Sequence, residues 1–273
     1  MDEQIKSIVK NSLKEDIPRI DVSSEFLFSD EHSIGKFIAK EKGVISGICV
    51  CEETFKQVDQ DTIFTILKKD GEIVKKGDII ATVEGRTKSI LMAERVALNF
   101  LQRMSGIATM TNKFVEEIKG FNCKILDTRK TTPLLRILEK QAVKDGGGVN
   151  HRMSLSDMVM LKDNHLKAAS SIIEAVKKVR NAIGKTYEIE VEVENLEQFK
   201  EALKSDCNII MLDNMNNQLM KECVELNKGK KRLEASGNMT LRRVKSVAET
   251  GVDYISVGSL THSYKSLDIS LKF

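Results

Sequence analysis

YEIEVEVENLEQFKEALKSDCNIIMLDNMNNQLMKECVELNKGKKRLEAS, residues 187–236, sets the rhythm from which the fold can be read. Three apolar runs of strand length, 187–193, 208–213 and 231–236, are separated by segments at 196–203 and 215–226 whose apolar residues recur at helical spacing. Working outward, the alternation extends back to CKILD (123–127) and MVMLK (158–162) and forward to YISVG (254–258). Six strands then recur at intervals of 35, 29, 21, 23 and 23 residues, with further helices at 133–144, 169–182 and 241–249. Strand–helix units of this length build a parallel sheet. An open doubly wound sheet and a closed or nearly closed barrel both satisfy the rhythm. The strand ends separate them: Asp127 to Lys130, Lys162 to His165, Glu192, Asp213 with Asn214, Ser236 to Asn238, and Gly258 with Ser259 follow the runs. An open sheet brings only the strands at its switch point to one crevice, whereas a ring brings every carboxyl end together. The expectation is an α/β chain with an incomplete, six-stranded β/α barrel.

Upstream the text differs. Ile5, Ile8, Val9 and Leu13 predict a first helix that ends before Pro18. From Ile34 to Glu84 short β-like runs are punctuated by turns at Asp70-Gly71 and Lys76-Gly77-Asp78. KKDGEIVKKGDIIATVEG (68–85) resembles a lipoyl- or biotinyl-type hairpin, but a carrier lysine needs its own motif at an exposed tip, so a structural sheet is expected. A helix from about Ser89 to Lys119 is apolar nearly all round its first half, which predicts burial between domains or subunits, with a break or kink near Ser105-Gly106. The predicted domains are 1–106, a smaller N-terminal α+β sandwich ending in the long helix, and 107–273, the barrel.

Composition narrows the function. Lys and Arg number 43 against 40 Asp and Glu, and a pI near 8.4 falls short of a dedicated nucleic-acid binder. No stretch approaches the ~20 apolar residues of a membrane span, and MDEQIKSIVKNSLKED lacks the apolar segment of a signal peptide, so a cytoplasmic protein is expected. Its 5 cysteines are scattered without paired zinc spacing and read as reduced thiols.

Positive charge is local. KILDTRKTTPLLRILEKQAVKDGGGVNHRMSLSDMVMLKDNHL (124–166) carries Arg129, Lys130, His151, Arg152, Lys162 and His165 just beyond strand-like runs or a glycine turn. Arginine's planar fork suits carboxylate or phosphate, and lysine supplies a compact charge. Facing them, Glu192 and Asp213 suit Mg²⁺, which binds through one or two carboxylates plus substrate phosphate oxygens. The residues alone therefore point to a polyanionic substrate with a metal. EASGN and SVGS match the phosphate-binding turns of barrels, although Ser236 or Asn238 could equally cap the helix at Leu241. The three glycines at 146–148 read as a helix stop that also lets the next loop approach a ligand closely. Arg95 reads, by itself, as a salt-bridge partner on the long helix. Lys162, at a strand end among other cations, could also serve as a Schiff-base lysine; aldolase chemistry, however, leaves the two carboxylates and two phosphate turns without a purpose. A nucleotide-sensing barrel would be expected to lose those carboxylates.

Taken in order, MAERVALNFLQRMSGIAT, DTRKTTP, GGGVNHR, LKDNH, EVEVENLEQ, IIMLDNM, EASGN and ETGVDYISVGSLTHS resemble one family, quinolinate phosphoribosyltransferase, over residues 30–273. The resemblance implies a pentosyltransferase, nicotinate-nucleotide diphosphorylase (carboxylating). Such an enzyme moves a phosphoribosyl group from phosphoribosyl pyrophosphate to quinolinate, releasing pyrophosphate and CO₂ and giving nicotinate mononucleotide for de novo NAD biosynthesis. It implies that Arg95, Arg129, His151, Arg152 and Lys162 hold the quinolinate carboxylates and that Thr128 and Lys130 contact substrate, Lys130 serving both. It further implies that Glu192 and Asp213 contact ribose and Mg²⁺ and that Ser236, Gly237, Asn238, Gly258 and Ser259 hold the 5′-phosphate. Lys130, Lys162, Glu192 and Asp213 are the expected catalytic residues. The family likeness also implies a homodimer, or a dimer-based hexamer, with Arg95 reaching the partner's site. The chain departs from the family at IDVSSEFLF, at Leu134 and Ser154, where glycine is usual, and at Gln141, where tyrosine is common.

Overall fold

The computed structural model describes residues 2–162, 165 and 171–273. Its contacts divide the chain into two compact units, one of residues 1–112, 131–147 and 263–273 and one of residues 113–130 and 148–262.

In the first unit a helix Glu3–Asp16 is started by Asp2, whose side chain accepts from the Gln4 N–H. Strands β1 (His32–Ala39), β2 (Gly43–Val44), β3 (Ile63–Ile66), β4 (Ile73–Val74) and β5 (Ile79–Arg86) follow. The main antiparallel sheet has the order β12-β1-β5-β3, while β2 and β4 form a separate pair. Its last member, β12 (Ile269–Lys272), is the end of the chain, paired with β1 from Lys36 to Ala39. The end of the chain therefore completes this antiparallel sheet. A helix Ile48–Val58 also lies inside the stretch expected to be β-like. Its β-branched start hides a period visible in the burial of Ile48, Cys51 and Phe55, and Phe55 meets Phe37 of β1 edge-on at 5.8 Å.

The long helix runs unbroken from Thr87 to Glu117, against the expected break. Gly106 serves packing instead: a Cβ there would lie 2.4 Å from the Lys265 carbonyl oxygen. The apolar residues of its first half, Ile90, Ala93, Ala97, Leu98 and Leu101, share a core with β1, β5 and the helix Ile48–Val58. Within this unit the helix Arg136–Asp145 ends at the glycine run. Gly147 takes the left-handed conformation of a helix stop (φ 90°), and Gly146 lies where a Cβ would meet the Ala108 carbonyl at 2.4 Å.

The second unit holds β6 (Lys124–Leu126), β7 (Val159–Leu161), β8 (Ile189–Val193), β9 (Ile209–Asp213), β10 (Arg232–Ser236) and β11 (Tyr254–Ser256). They form one parallel sheet of order β6-β11-β10-β9-β8-β7. First and last strands are neighbours, as in a ring, and the ring stays open between β6 and β7, with Val149 bridging to Leu126. Helices Ile172–Ile183, Leu196–Lys204 and Asn217–Asn227 are started by Ser171, Asn195 and Asn216, each accepting the backbone N–H of the third residue of its helix. The predicted start of the first, at 169, lies outside the described residues. Strand alternation assigns the faces: on β8 Ile189, Val191 and Val193 are buried apolar residues, which leaves Glu190 and Glu192 on the opposite face. Among the described residues no helix is long and apolar enough to cross a membrane.

Candidate active site

At the carboxyl ends of the barrel strands lies a cavity of about 890 Å³. Thr128, Arg129, Lys130, His151, Arg152, Lys162, Glu192, Asp213, Ser236, Gly237, Asn238, Gly258 and Ser259 all line it. Arg95 does not: it stands exposed on the helix Thr87–Glu117. His165 is not a lining residue either, and its Nδ1 accepts the Lys162 backbone N–H at 3.1 Å.

The cations are poised differently. Arg129 has a buried Nε without a hydrogen-bond acceptor among the described residues. Arg152 is held by the Met158 carbonyl (3.1 Å) and the Met160 sulfur (3.4 Å). Burial, then the charge of Arg129, push the Arg152 pKa down from its ordinary value. An orphaned guanidinium donor beside a second, crowded guanidinium is a site in want of an anion. Lys162 Nζ lies 3.2 Å from Glu192 Oε2. Lys130 is fixed through its backbone, its N–H donating to Thr128 Oγ1 (3.1 Å) and its carbonyl accepting from Thr261 Oγ1 (2.9 Å). Gly258 carries this close packing, since a Cβ would sit 3.2 Å from Lys130 Cδ and 3.1 Å from His262 Nε2.

His151 forms part of the floor. Asp127, fully buried, accepts the His151 backbone N–H (2.9 Å). The His151 Nε2 is 3.0 Å from Glu190 Oε2 and 3.4 Å from Glu234 Oε2, and Ser256 Oγ donates to Glu234 Oε1. Burial opposes charge on the ring, but the two glutamates outweigh it and raise the His151 pKa to about 10. Burial and the neighbouring Glu234 lift Glu190 to about 7. Nδ1 accepts the Arg152 N–H at 2.7 Å, and an imidazolium would turn its own N–H toward that donor. In either charge state Nε2 therefore carries a proton aimed at the Glu190 and Glu234 carboxylates. His151, Glu190 and Glu234 also stand close enough to hold a metal ion. With Nδ1 used as an acceptor, however, Nε2 carries the proton and has no lone pair for a metal.

For Mg²⁺ the relevant pair is Glu192 and Asp213. Both line the cavity, Glu192 facing Lys162 and Asp213 accepting from Asn214 Nδ2 at 2.7 Å. Two carboxylates fit an ion whose remaining ligands are water and substrate phosphate, and fall short of an all-protein cage.

Neither Ser236 nor Asn238 caps the following helix; the N-cap of Leu241–Ala248 is Thr240. The turn Ser236–Asn238 is thereby left to the cavity. Gly237 and Asn238 have φ of 94° and 48°. Sequence reasoning missed Glu190, Glu234, Ser256 and His262, and gave Asn214 no role. Period-2 alternation was the available signal: Glu190 shares a face with Glu192, and Glu234 with Ser236.

Residues 21–105 match the model of the quinolinate phosphoribosyl transferase N-terminal domain and residues 107–272 that of its C-terminal domain. The probable nicotinate-nucleotide pyrophosphorylase (carboxylating) of Bacillus subtilis is 43% identical, over 98% of this chain and 93% of that protein. The chloroplastic enzyme of the same name from Oryza sativa is 44% identical, over 98% and 77%. Among solved structures, NadC from Streptococcus pyogenes superposes with a TM-score of 0.96 at 42% identity, covering 99% of this chain and 96% of that one.

Proposed function

Because this chain belongs to the quinolinate phosphoribosyltransferase family and catalyses phosphoribosyl transfer from phosphoribosyl pyrophosphate to quinolinate with decarboxylation, we propose how its residues divide that work. Arg129, Arg152 and Lys162 pair with the two quinolinate carboxylates, with His151 beside them on the floor. The orphaned Arg129 Nε is the observation that carries this assignment. Lys130, held by Thr128 and Thr261, faces both substrates. The turns at Ser236–Asn238 and Gly258–Ser259 take the 5′-phosphate.

At the ribose, the bond from C1 to pyrophosphate breaks, its electron pair leaving with pyrophosphate, and the quinolinate nitrogen supplies the pair for the new C1–N bond. Positive charge develops at C1 between the two events. Glu192 and Asp213 lie where they can contact the ribose, and fixed lysine charge offsets the charge gathering on pyrophosphate. Mg²⁺, arriving with phosphoribosyl pyrophosphate and held by Glu192 and Asp213, would add neutralisation of the same leaving group. The ribosylated pyridinium is then an electron sink: the C2–carboxylate bond breaks, CO₂ departs, and the electron pair left at C2 takes a proton. No general base is needed.

The proposal includes a symmetric dimer, or an assembly of dimers, in which Arg95 completes the partner's site. What supports it is an exposed arginine with no hydrogen bond or ion pair among the described residues, in a family motif and outside the cavity lining. It includes a cytoplasmic location as well, since phosphoribosyl pyrophosphate is a polyanion that does not cross a bilayer unaided, so the enzyme works where that substrate is made. Co-refolding inactive Arg95→Ala with inactive Lys162→Ala tests the shared site. Random pairing makes about half the dimers mixed, and each mixed dimer has one site with both defects and one with neither, so roughly a quarter of the activity should return. No recovery from verified mixed dimers refutes the arrangement.

A further inference from the structure

The ends of β9 and β10 are tied together more tightly than a parallel sheet requires. Asn214 follows β9 with φ 53° and Asn238 follows β10 with φ 48°, both in the left-handed region that non-glycine residues rarely occupy. The Asn214 backbone N–H donates to the Ser236 carbonyl at 3.0 Å. Its side chain uses both ends: Nδ2 donates to Asp213 Oδ2 (2.7 Å), and Oδ1 accepts from Asn238 Nδ2 (3.2 Å). Gly237 lies flat against that amide, and a Cβ built on it would be 2.1 Å from Asn214 Oδ1. From the following helix, Arg243 donates to the Gly237 carbonyl (3.0 Å) and to the Met215 carbonyl (2.7 Å), joining the same two loops from the other side.

We infer that Asn214 is a positioning residue for phosphoribosyl pyrophosphate: its amide fixes the Asp213 carboxylate and the Gly237–Asn238 turn in one register, so that the ribose and its 5′-phosphate are bound as a single rigid unit. The inference rests on the assignment of Asp213 and the turn to that substrate. Two non-glycine residues held in left-handed conformations on adjacent loops, each bonded to the other's amide, are local strain retained by the surrounding contacts. An asparagine is the side chain that meets the requirement. It tolerates φ > 0 and presents one donor and one acceptor on a short stem, where aspartate would set a like charge against Asp213.

The test uses the full-length enzyme and calorimetric titration with phosphoribosyl pyrophosphate and Mg²⁺, and separately with quinolinate. Asn214→Gly keeps the left-handed backbone and removes only the amide. It should weaken phosphoribosyl pyrophosphate on the order of 10-fold, the worth of two ordinary hydrogen bonds, while quinolinate affinity and Tm stay at wild-type values. Gly237→Ala reaches the same contact from the other loop by expelling the Asn214 amide. The strain of an alanine at φ 94° is common to both backgrounds, so the two substitutions should fall short of additivity by the part that acts through the Asn214 amide, a coupling that independent structural damage would not give. Unchanged phosphoribosyl pyrophosphate affinity in Asn214→Gly, or full additivity of the two substitutions, overturns the inference. Asp213→Asn separates the two levels: if it weakens phosphoribosyl pyrophosphate while Asn214→Gly does not, the positioning role alone fails. If neither does, the assignment of Asp213 fails with it.

Discussion

Replacing Glu190 by Gln should make the protein relatively more stable as the pH rises, although it removes a hydrogen-bonded charge. Glu190 and Glu234 are both fully buried and both approach the His151 Nε2, and Glu190 Oε1 has no hydrogen-bond partner among the described residues. Burial and the Glu234 charge raise the Glu190 pKa from 4.5 to about 7. A carboxyl raised in this way binds its proton more tightly folded than unfolded. Its stabilising contribution is complete below the unfolded value of 4.5 and is lost as pH climbs to about 7, above which both states are ionised. At ~1.4 kcal/mol per pH unit, the loss in wild type is about 3 kcal/mol over that window. The amide introduced by Glu190→Gln does not titrate. The two proteins should be of similar stability at pH 5, where Glu190 is mostly neutral, and differ by roughly 2–3 kcal/mol in favour of the variant at pH 8. Urea unfolding at both pH values measures this directly. Parallel pH dependences, or a wild type that gains on the variant toward alkaline pH, would refute the account of the cluster. Glu190→Ala is a useful contrast, because a cavity and a weakened His151 should destabilise it at both pH values.

Two further expectations follow from single contacts. Lys130→Ala and Lys162→Ala should each lower kcat/KM by on the order of 10²-fold with Tm unchanged, because each removes a fixed charge rather than a packing residue; a Lys162 adduct trapped by borohydride with a carbonyl substrate would instead revive a Schiff-base role. In the other unit Asp59 accepts from Arg86 Nε (2.8 Å) and Ser89 Oγ (2.7 Å), and chiefly the Arg86 bond lowers its pKa from 3.8 to about 2. That stability is present above pH 3.8 and disappears as pH falls through 2, so Asp59→Asn should cost about 1–2 kcal/mol at pH 7, discounted for the half-exposed Arg86, and nothing in acid. Acid titrations of unfolding that run parallel would contradict it.

What the sequence made legible were features that depend on one period at a time. The barrel strands were found within a few residues because each is a short apolar run followed by a polar end, and in a ring those ends converge; residues from all six strand ends line the cavity, His165 excepted among the described ones. Features that combine two periods, or two distant segments, were not legible. Glu190 sits one strand repeat behind Glu192, so a reading confined to strand ends passed over the carboxylates of the floor. β12 is a strand only by virtue of β1, more than two hundred residues away, and its own four residues carry no signal for that partner. Leu134 shows the converse. It stands where the family resemblance leads one to expect glycine, and its backbone takes the left-handed conformation (φ 67°) with the residue 84% exposed and outside the cavity lining. The departure is thus a local backbone strain of about 1–2 kcal/mol at an exposed turn. A substitution against the family pattern has to be weighed by the φ it must adopt before it is weighed as chemistry. Asn214 and Asn238, left-handed at the cavity wall and bonded to each other, are where the same backbone anomaly does point to function.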